Sequence, residues 1–303
     1  MFDDPALAAE ARGRPDLAYR SRLASFAGVR LHVVEAGPAD GPPVLLLHGF
    51  PEFWWGWRRQ IPALAAAGFR VVAPDLPGYN LSAMPRGLSP YGLDALSDVL
   101  AALLAELGPA PVPVVAHDWG GAVAWWGAMR FPERIARLAV LNVPHPAVLR
   151  RALWSDPAQR RRSRYILYFQ LPLLPERRLR AAGFRALRSI FRRTSRAGTF
   201  REEDLDRYVE AAARPGALTA MLAWYRAALR RPPARPPHRT VEPPLLLLWG
   251  AEDTALGREL VEPSLARCAR GEAALVAGAG HWVQHEAAEE VNRRLLAFLA
   301  ASG

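Results

Sequence analysis

The chain contains no lysine, and all 39 of its basic residues are arginine. So complete an exclusion reads as a coding bias rather than a functional choice. There is one cysteine, Cys268. It rules out an internal disulfide and fits a reducing, cytoplasmic location. No apolar run reaches the roughly 18 residues that a membrane-spanning helix needs, so no span is expected. Met1 to Arg14 lacks the basic-then-apolar layout of a signal peptide. No P-loop and no dinucleotide-binding glycine fingerprint occurs, which removes the usual nucleotide-dependent chemistries.

What is present describes a folded protein. With 303 residues, 51% hydrophobic and 22% charged, the chain can bury a sizeable core as one large domain or a domain with an insertion. Its formal net charge is +10. Arginines crowd between Arg150 and Arg196, including Arg160-Arg161-Arg162 and Arg192-Arg193. A solvated helical face is the expected reading of that crowding. A nucleic-acid or acidic-membrane patch is the alternative.

Hydrophobic periodicity gives strands at Val29 to Ala36, Val44 to His48, Phe69 to Pro74, Val112 to Ala116 and Leu138 to Leu141. Between them lie helical patterns at Trp54 to Ala67, closed by Gly68, and at Leu93 to Leu107. Strands and helices that alternate across short loops predict a mostly parallel sheet with helices on both faces. The alternation stops after Val143-Pro144-His145-Pro146. Ala147 to Arg230 shows helical patterns only, and Arg231-Pro232-Pro233-Ala234-Arg235-Pro236-Pro237 is a stiff connection. Strand patterns return at Leu245 to Trp249 and Ala273 to Val276, and a helix closes the chain near Ala287 to Ala300. The expected organisation is an α/β core (1–143 and 241–303) interrupted by a helical segment (144–240).

The sharpest chemical signal is Ala116-His117-Asp118-Trp119-Gly120-Gly121. It stands between the strand at Val112 and a helical pattern from Ala122 to Met129. Strand, tight turn and helix, with small residues beside the central one, is the setting of a nucleophile elbow. Serine usually occupies the centre; here it is Asp118. A carboxylate attacks an alkyl carbon and forms an ester, which water must then cleave. Asp253 and His281 each follow a later strand, at the edge where open α/β sheets place their sites. Glu252 competes with Asp253 for the acid role, and His285 with His281 for the base. The glycine-rich approach Gly278-Ala279-Gly280 favours an exposed loop at His281. His48-Gly49-Phe50-Pro51 also follows a strand. The backbone N–H groups of Phe50 and Trp119 are placed to form an oxyanion hole, since Pro51 has no N–H to give.

These residues together, His48-Gly49-Phe50-Pro51-Glu52, Trp57-Arg58, Ala73-Pro74-Asp75-Leu76, Gly78-Tyr79, His117-Asp118-Trp119-Gly120-Gly121 and Gly280-His281-Trp282, resemble the soluble epoxide hydrolases of the α/β-hydrolase superfamily. The likeness runs from about Arg20 to the C-terminus. It implies an α/β-hydrolase fold with an inserted helical cap, an Asp118–Asp253–His281 triad, and a requirement for neither metal nor organic cofactor. The family spacing favours Asp253 over Glu252. The resemblance also implies that Tyr165, in Tyr165-Ile166-Leu167-Tyr168-Phe169-Gln170, and Tyr225, in Trp224-Tyr225-Arg226, hydrogen-bond the epoxide oxygen, with Tyr168 the local rival of Tyr165. His48, Pro51, Trp119 and Trp282 are expected to line the pocket, and Phe53, Trp54, Trp55, Trp154 and Phe169 are further apolar candidates.

The expected partners are a small apolar epoxide and water, with no nucleic acid, and a homodimer is left open. Haloalkane and haloacid dehalogenases share the Asp nucleophile and are the alternative. Trp119 matches a halide-binding tryptophan of the haloalkane dehalogenases. Against them, Phe50 stands where those enzymes often carry asparagine, and Trp119 where fluoroacetate-type enzymes carry arginine. Asn80 occupies a turn position where glycine is common in the family.

Overall fold

Eight strands and thirteen α-helices account for most of the chain in the computed structural model, which describes residues 4–234 and 236–301. Arg235 of the proline-rich connection, and residues 1–3 and 302–303 at the ends of the expected core segments, lie outside the described residues. The strands are β1 Arg20–Phe26, β2 Val29–Ala36, β3 Pro43–Leu47, β4 Arg70–Pro74, β5 Val112–His117, β6 Ile135–Leu141, β7 Leu245–Gly250 and β8 Gly271–Val276. They form one sheet in the order β1-β2-β4-β3-β5-β6-β7-β8. β2 runs antiparallel to both β1 and β4, and the other pairs are parallel.

The central strands are apolar on both faces because helices cover both. Leu45 and Leu47 of β3, Val114 and Ala116 of β5, and Leu138 and Val140 of β6 join one core cluster. Their neighbours Val44, Leu46, Val115, Ala139 and Leu141 join the second, on the other face. This period-two division explains why these strands read as continuous hydrophobic runs.

In chain order the helices are α1 Pro5–Gly13, α2 Gln60–Ala66, α3 Leu93–Glu106, α4 Asp118–Arg130, α5 Pro146–Ser155, α6 Pro157–Arg162, α7 Arg164–Tyr168, α8 Leu174–Thr194, α9 Glu202–Ala213, α10 Ala217–Arg230, α11 Val261–Leu265, α12 Val283–Glu286 and α13 Ala288–Ala300. α3 and α4 pack on the first cluster, α2 and α13 on the second. Helices α5 to α10 all fall between β6 and β7. Among the described residues no helix is long and apolar enough to cross a membrane.

Three local differences from the sequence reading have physical causes. The pattern Trp54 to Ala67 is two elements, a 3₁₀ turn over Trp54–Trp57 and then α2. Pro62 cannot give an N–H to a helix running through from Trp54, but it is tolerated in the first turn of α2, where N–H groups are unpaired anyway. β1 and α1 were not legible, because Arg20-Ser21-Arg22-Leu23-Ala24-Ser25-Phe26 is an edge strand with little apolar content. Finally, α4 begins at Asp118 itself rather than at Ala122.

Candidate active site

Asp118 sits where β5 turns into α4, at φ +49°. That left-handed conformation is uncommon for a residue with a Cβ and holds only where surroundings impose it. Its neighbours permit the turn by having no side chains. A Cβ on Gly120 would lie 2.3 Å from the Leu47 carbonyl oxygen, and one on Gly49 would lie 2.4 Å from the Asp118 Cβ. Asp118 Oδ1 accepts the Phe50 N–H at 2.8 Å. The carboxylate also stands at the N-terminus of a 13-residue helix, whose dipole favours negative charge there. Oδ2 is left free and lies 3.8 Å from His281 Nε2, with the Asp118 side chain 15% exposed.

His281 is oriented from behind. Its Nδ1 meets Asp253 Oδ2 at 2.9 Å, so Nδ1 carries the proton and Nε2 faces Asp118. Asp253 follows β7 and is pinned by four donors. The N–H groups of Ala255 and Leu256 reach Oδ1 at 2.7 and 3.0 Å, and Asn142 Nδ2 and the imidazole reach Oδ2. Burial alone would raise the Asp253 carboxyl, but the His281 charge and these hydrogen bonds outweigh it and hold the group below the usual carboxylate range. For His281 burial pushes the other way, toward the neutral ring. The charge of Asp253, its hydrogen bond and the charge of Asp118 prevail and lift it to about 9.

Asn142 was missed in the sequence. It directly follows β6 at φ +48°, fully buried, giving Nδ2 to Asp253 at 2.7 Å and accepting the Gly250 N–H on Oδ1 at 3.0 Å. A lone polar residue at the C-terminal end of an apolar strand was the available signal.

Over this group lie two tyrosines from different helices, Tyr165 on α7 and Tyr225 on α10, with ring centroids 5.9 Å apart. Tyr225 packs edge-on against Trp119, Phe50 and Phe169 at 5.0, 5.3 and 5.0 Å. Burial raises both phenols far above the ordinary range, and the charge of Asp118 adds to it. Both hydroxyls therefore keep their protons throughout the working range of an enzyme. Tyr168 has the Arg178 guanidinium 5.8 Å from its ring.

The sequence profile of the alpha/beta hydrolase fold family matches residues 42–288. AB hydrolase superfamily protein YfhM of Bacillus subtilis (strain 168) is 44% identical over 90% of this chain and 95% of its own length. Epoxide hydrolase A of Mycobacterium tuberculosis (strain ATCC 25618 / H37Rv) is 35% identical over 92% of this chain and 96% of its own. The crystal structure of Bacillus megaterium epoxide hydrolase in complex with an inhibitor superposes with a TM-score of 0.82 at 30% identity, covering 92% of this chain and 100% of that one. The chain belongs to the epoxide hydrolase family of the α/β-hydrolase superfamily.

In this member of the epoxide hydrolase family, several expected pocket residues are buried and held by contacts of their own. His48 is fully buried, its Nδ1 against the Gly49 carbonyl and its Nε2 accepting the Leu76 N–H at 2.9 Å. It shapes the loop carrying Phe50. Trp282 is also buried: its Nε1 donates to Thr194 Oγ1 at 2.8 Å and its ring packs on Phe191. Pro51 is buried in the same loop as Phe50. Phe53, Trp54 and Trp55 belong to the second core cluster, and Trp154 is 81% exposed. Of the apolar candidates, Trp119 and Phe169 face the tyrosine pair.

His285, the rival base, lies in a separate buried network. Its Nδ1 faces Arg58 Nη1 at 3.1 Å and its Nε2 faces Glu52 at 2.8 Å. Burial and the Arg58 charge push it down to about 4, so a neutral ring accepts from Arg58 and donates to Glu52. Glu52 also accepts from Tyr208 of α9 at 2.7 Å and from Gln284 at 3.0 Å. Gln284 and the His281 carbonyl bracket the His117 ring, at 3.2 and 2.9 Å. One carboxylate thus ties the turn before Asp118, the loop after β8 and α9 together. We expect Glu52→Leu to cost about 3–5 kcal/mol in urea unfolding, since it strands several buried donors. A loss under about 1 kcal/mol would show that the network contributes no more than a surface pair.

Asn80 has a similar local logic. At φ +44° it gives Nδ2 to Asp75 at 2.8 Å and accepts Arg214 Nε on Oδ1 at 3.1 Å. Glycine would suit that backbone but make neither bond.

Proposed function

We propose that the protein hydrolyses apolar epoxides to vicinal diols through an alkyl ester on Asp118. The observation that carries this reading is the division of labour at the carboxylate: Oδ1 is engaged by the Phe50 N–H, while Oδ2 is free and within 4 Å of His281. Oδ2 attacks the less hindered epoxide carbon. The C–Oδ2 bond forms, the ring C–O bond breaks, and the epoxide oxygen takes a proton from Tyr165 or Tyr225. His281 then removes a proton from water, whose oxygen bonds to the Asp118 Cγ. Charge develops on Oδ1, facing the Phe50 and Trp119 amides. The Cγ–Oδ2 bond breaks, His281 returns its proton to Oδ2 and the diol leaves with that oxygen, while the acid proton left on Asp118 passes through solvent to the tyrosinate and restores both residues. Helices α5 to α10, taken as a cap over 144–240, supply both tyrosines and keep bulk water from the ester.

A single turnover in ¹⁸O-water, with enzyme in excess, tests this pathway. The label should appear in Asp118 and be absent from the first diol. Label in that diol would mean direct attack by water on the epoxide. A panel of styrene-type, terminal and fatty-acid epoxides against haloalkanes, read by diol and halide, separates this reading from a dehalogenase.

The reaction should also have a characteristic pH dependence. The value of about 9 for His281 depends partly on the negative charge of Asp118, which the ester removes. The base must be neutral to act. Ester hydrolysis should therefore rise with pH through a midpoint below 9, while alkylation does not follow that curve. Stopped-flow fluorescence of the ester's decay gives the measurement, and a decay rate flat from acid to alkaline pH would contradict the assignment of His281.

A further inference from the structure

We propose that the helical insertion docks on anionic phospholipid bilayers through a leucine turn between α7 and α8. Leu167, Leu171, Leu173 and Leu174 lie within eight residues, and Leu229 of α10 is exposed nearby; each is 44–66% exposed. Scattered exposed apolar residues need no explanation, but a cluster does. This cluster is held outward. Buried Arg226 donates to the carbonyls of Phe169 and Leu171 at 3.0 and 2.7 Å and pairs with Glu176 at 2.7 Å. The polar backbone of the turn is thus satisfied on its inner side, leaving the leucines outside. Leu173 even adopts φ +60°, a conformation in which a non-glycine side chain is strained.

The surroundings of the turn are cationic. Segment 144–240 holds 22 of the 39 arginines but only 7 of the 29 acidic residues, so it is strongly positive and the rest of the chain negative. Among the described residues Arg161, Arg164, Arg177, Arg178 and Arg230 are exposed and form no ion pair. Arg164 opens α7, Arg178 stands over Tyr168, and Arg230 donates to the Gln170 carbonyl at 2.7 Å. Leucines ringed by guanidinium groups match an acyl layer beneath anionic headgroups. Nucleic acid would call for exposed aromatic stacking partners, whereas the exposed side chains clustered at this turn are leucines and the exposed Trp154 lies on α5. A second copy would set the same arginines against one another. Tyr165 lies two residues before Leu167. If the epoxide reading holds, the same segment joins the reactive site to a surface where apolar substrates concentrate.

The test is vesicle flotation, which reads binding without turnover and so stands apart from the proposed chemistry. Wild-type protein should float with phosphatidylcholine–phosphatidylglycerol vesicles at roughly 7:3, release at high salt, and ignore pure phosphatidylcholine. Leu171→Ser/Leu173→Ser/Leu174→Ser should weaken binding by about tenfold or more, with unchanged circular dichroism and turnover of a water-soluble epoxide. Arg177→Glu/Arg178→Glu should weaken it independently, which covers a triple variant that fails to fold. The proposal is overturned if wild-type protein does not float, or if either variant floats like wild type. It is equally overturned by DNA retention without vesicle binding, or by a dimer in sedimentation velocity that the leucine substitutions dissolve.

Discussion

Asp118→Asn should lose turnover by at least about 10⁴-fold, the scale on which removal of a nucleophile is felt. His281→Gln should instead stall halfway, accumulating a protein whose mass exceeds the apoprotein by that of one substrate. The two outcomes differ because, in the proposed pathway, the two residues act on different bonds. The amide at 118 keeps the shape of the carboxylate and its contact with the Phe50 N–H but has no anionic oxygen to offer an alkyl carbon. The glutamine at 281 leaves Oδ2 able to attack while taking away the base that activates water. The mass increase should map to the peptide containing Asp118. Full turnover in either variant, or an adduct on another residue, would remove the triad assignment.

Tyr165→Phe/Tyr225→Phe should slow ester formation by about 10²–10⁴-fold, the usual worth of a positioned general acid. Each single variant should be milder, because in the proposed reaction either phenol donates to the same epoxide oxygen. The loss belongs in the alkylation step. Both hydroxyls are protonated through the accessible pH range, and neither is needed by a water that attacks the ester carbonyl. Stopped-flow fluorescence resolves the two steps. A double variant with normal alkylation would leave the tyrosines as packing, consistent with their aromatic contacts to Phe169 and Phe50 but with no chemical part. Slowed ester decay with normal alkylation would assign them to the second step instead.

The sequence by itself determined the sheet core, the strand–turn–helix at Asp118 and the order Asp118, Asp253, His281. These are local signals. Apolar strands buried on both faces, a turn that demands glycines at 120 and 121, and polar residues just past strand ends each leave a mark within a few residues. The chain also showed where strand–helix alternation fails, and so that helices are inserted between β6 and β7. Position-by-position resemblance, rather than periodicity, pointed to Tyr165 and Tyr225.

Only the tertiary structure decided which buried polar residues meet. Glu52 gathers His285, Tyr208 and Gln284 from distant stretches of chain, and Asn142 reaches Asp253 across 111 positions. Hydrogen bonding constrains where a side chain's polar atoms end up but leaves no periodic trace in the sequence. For the same reason the partners that hold His48 and Trp282 were not legible. A histidine whose two nitrogens are taken by backbone groups has the same one-letter sequence context as one that faces a ligand. The leucines of the α7–α8 turn also look like core in the sequence, because hydrophobicity predicts burial on average. It is the Arg226 contacts with the inner side of that turn, together with a left-handed Leu173, that put them in solvent.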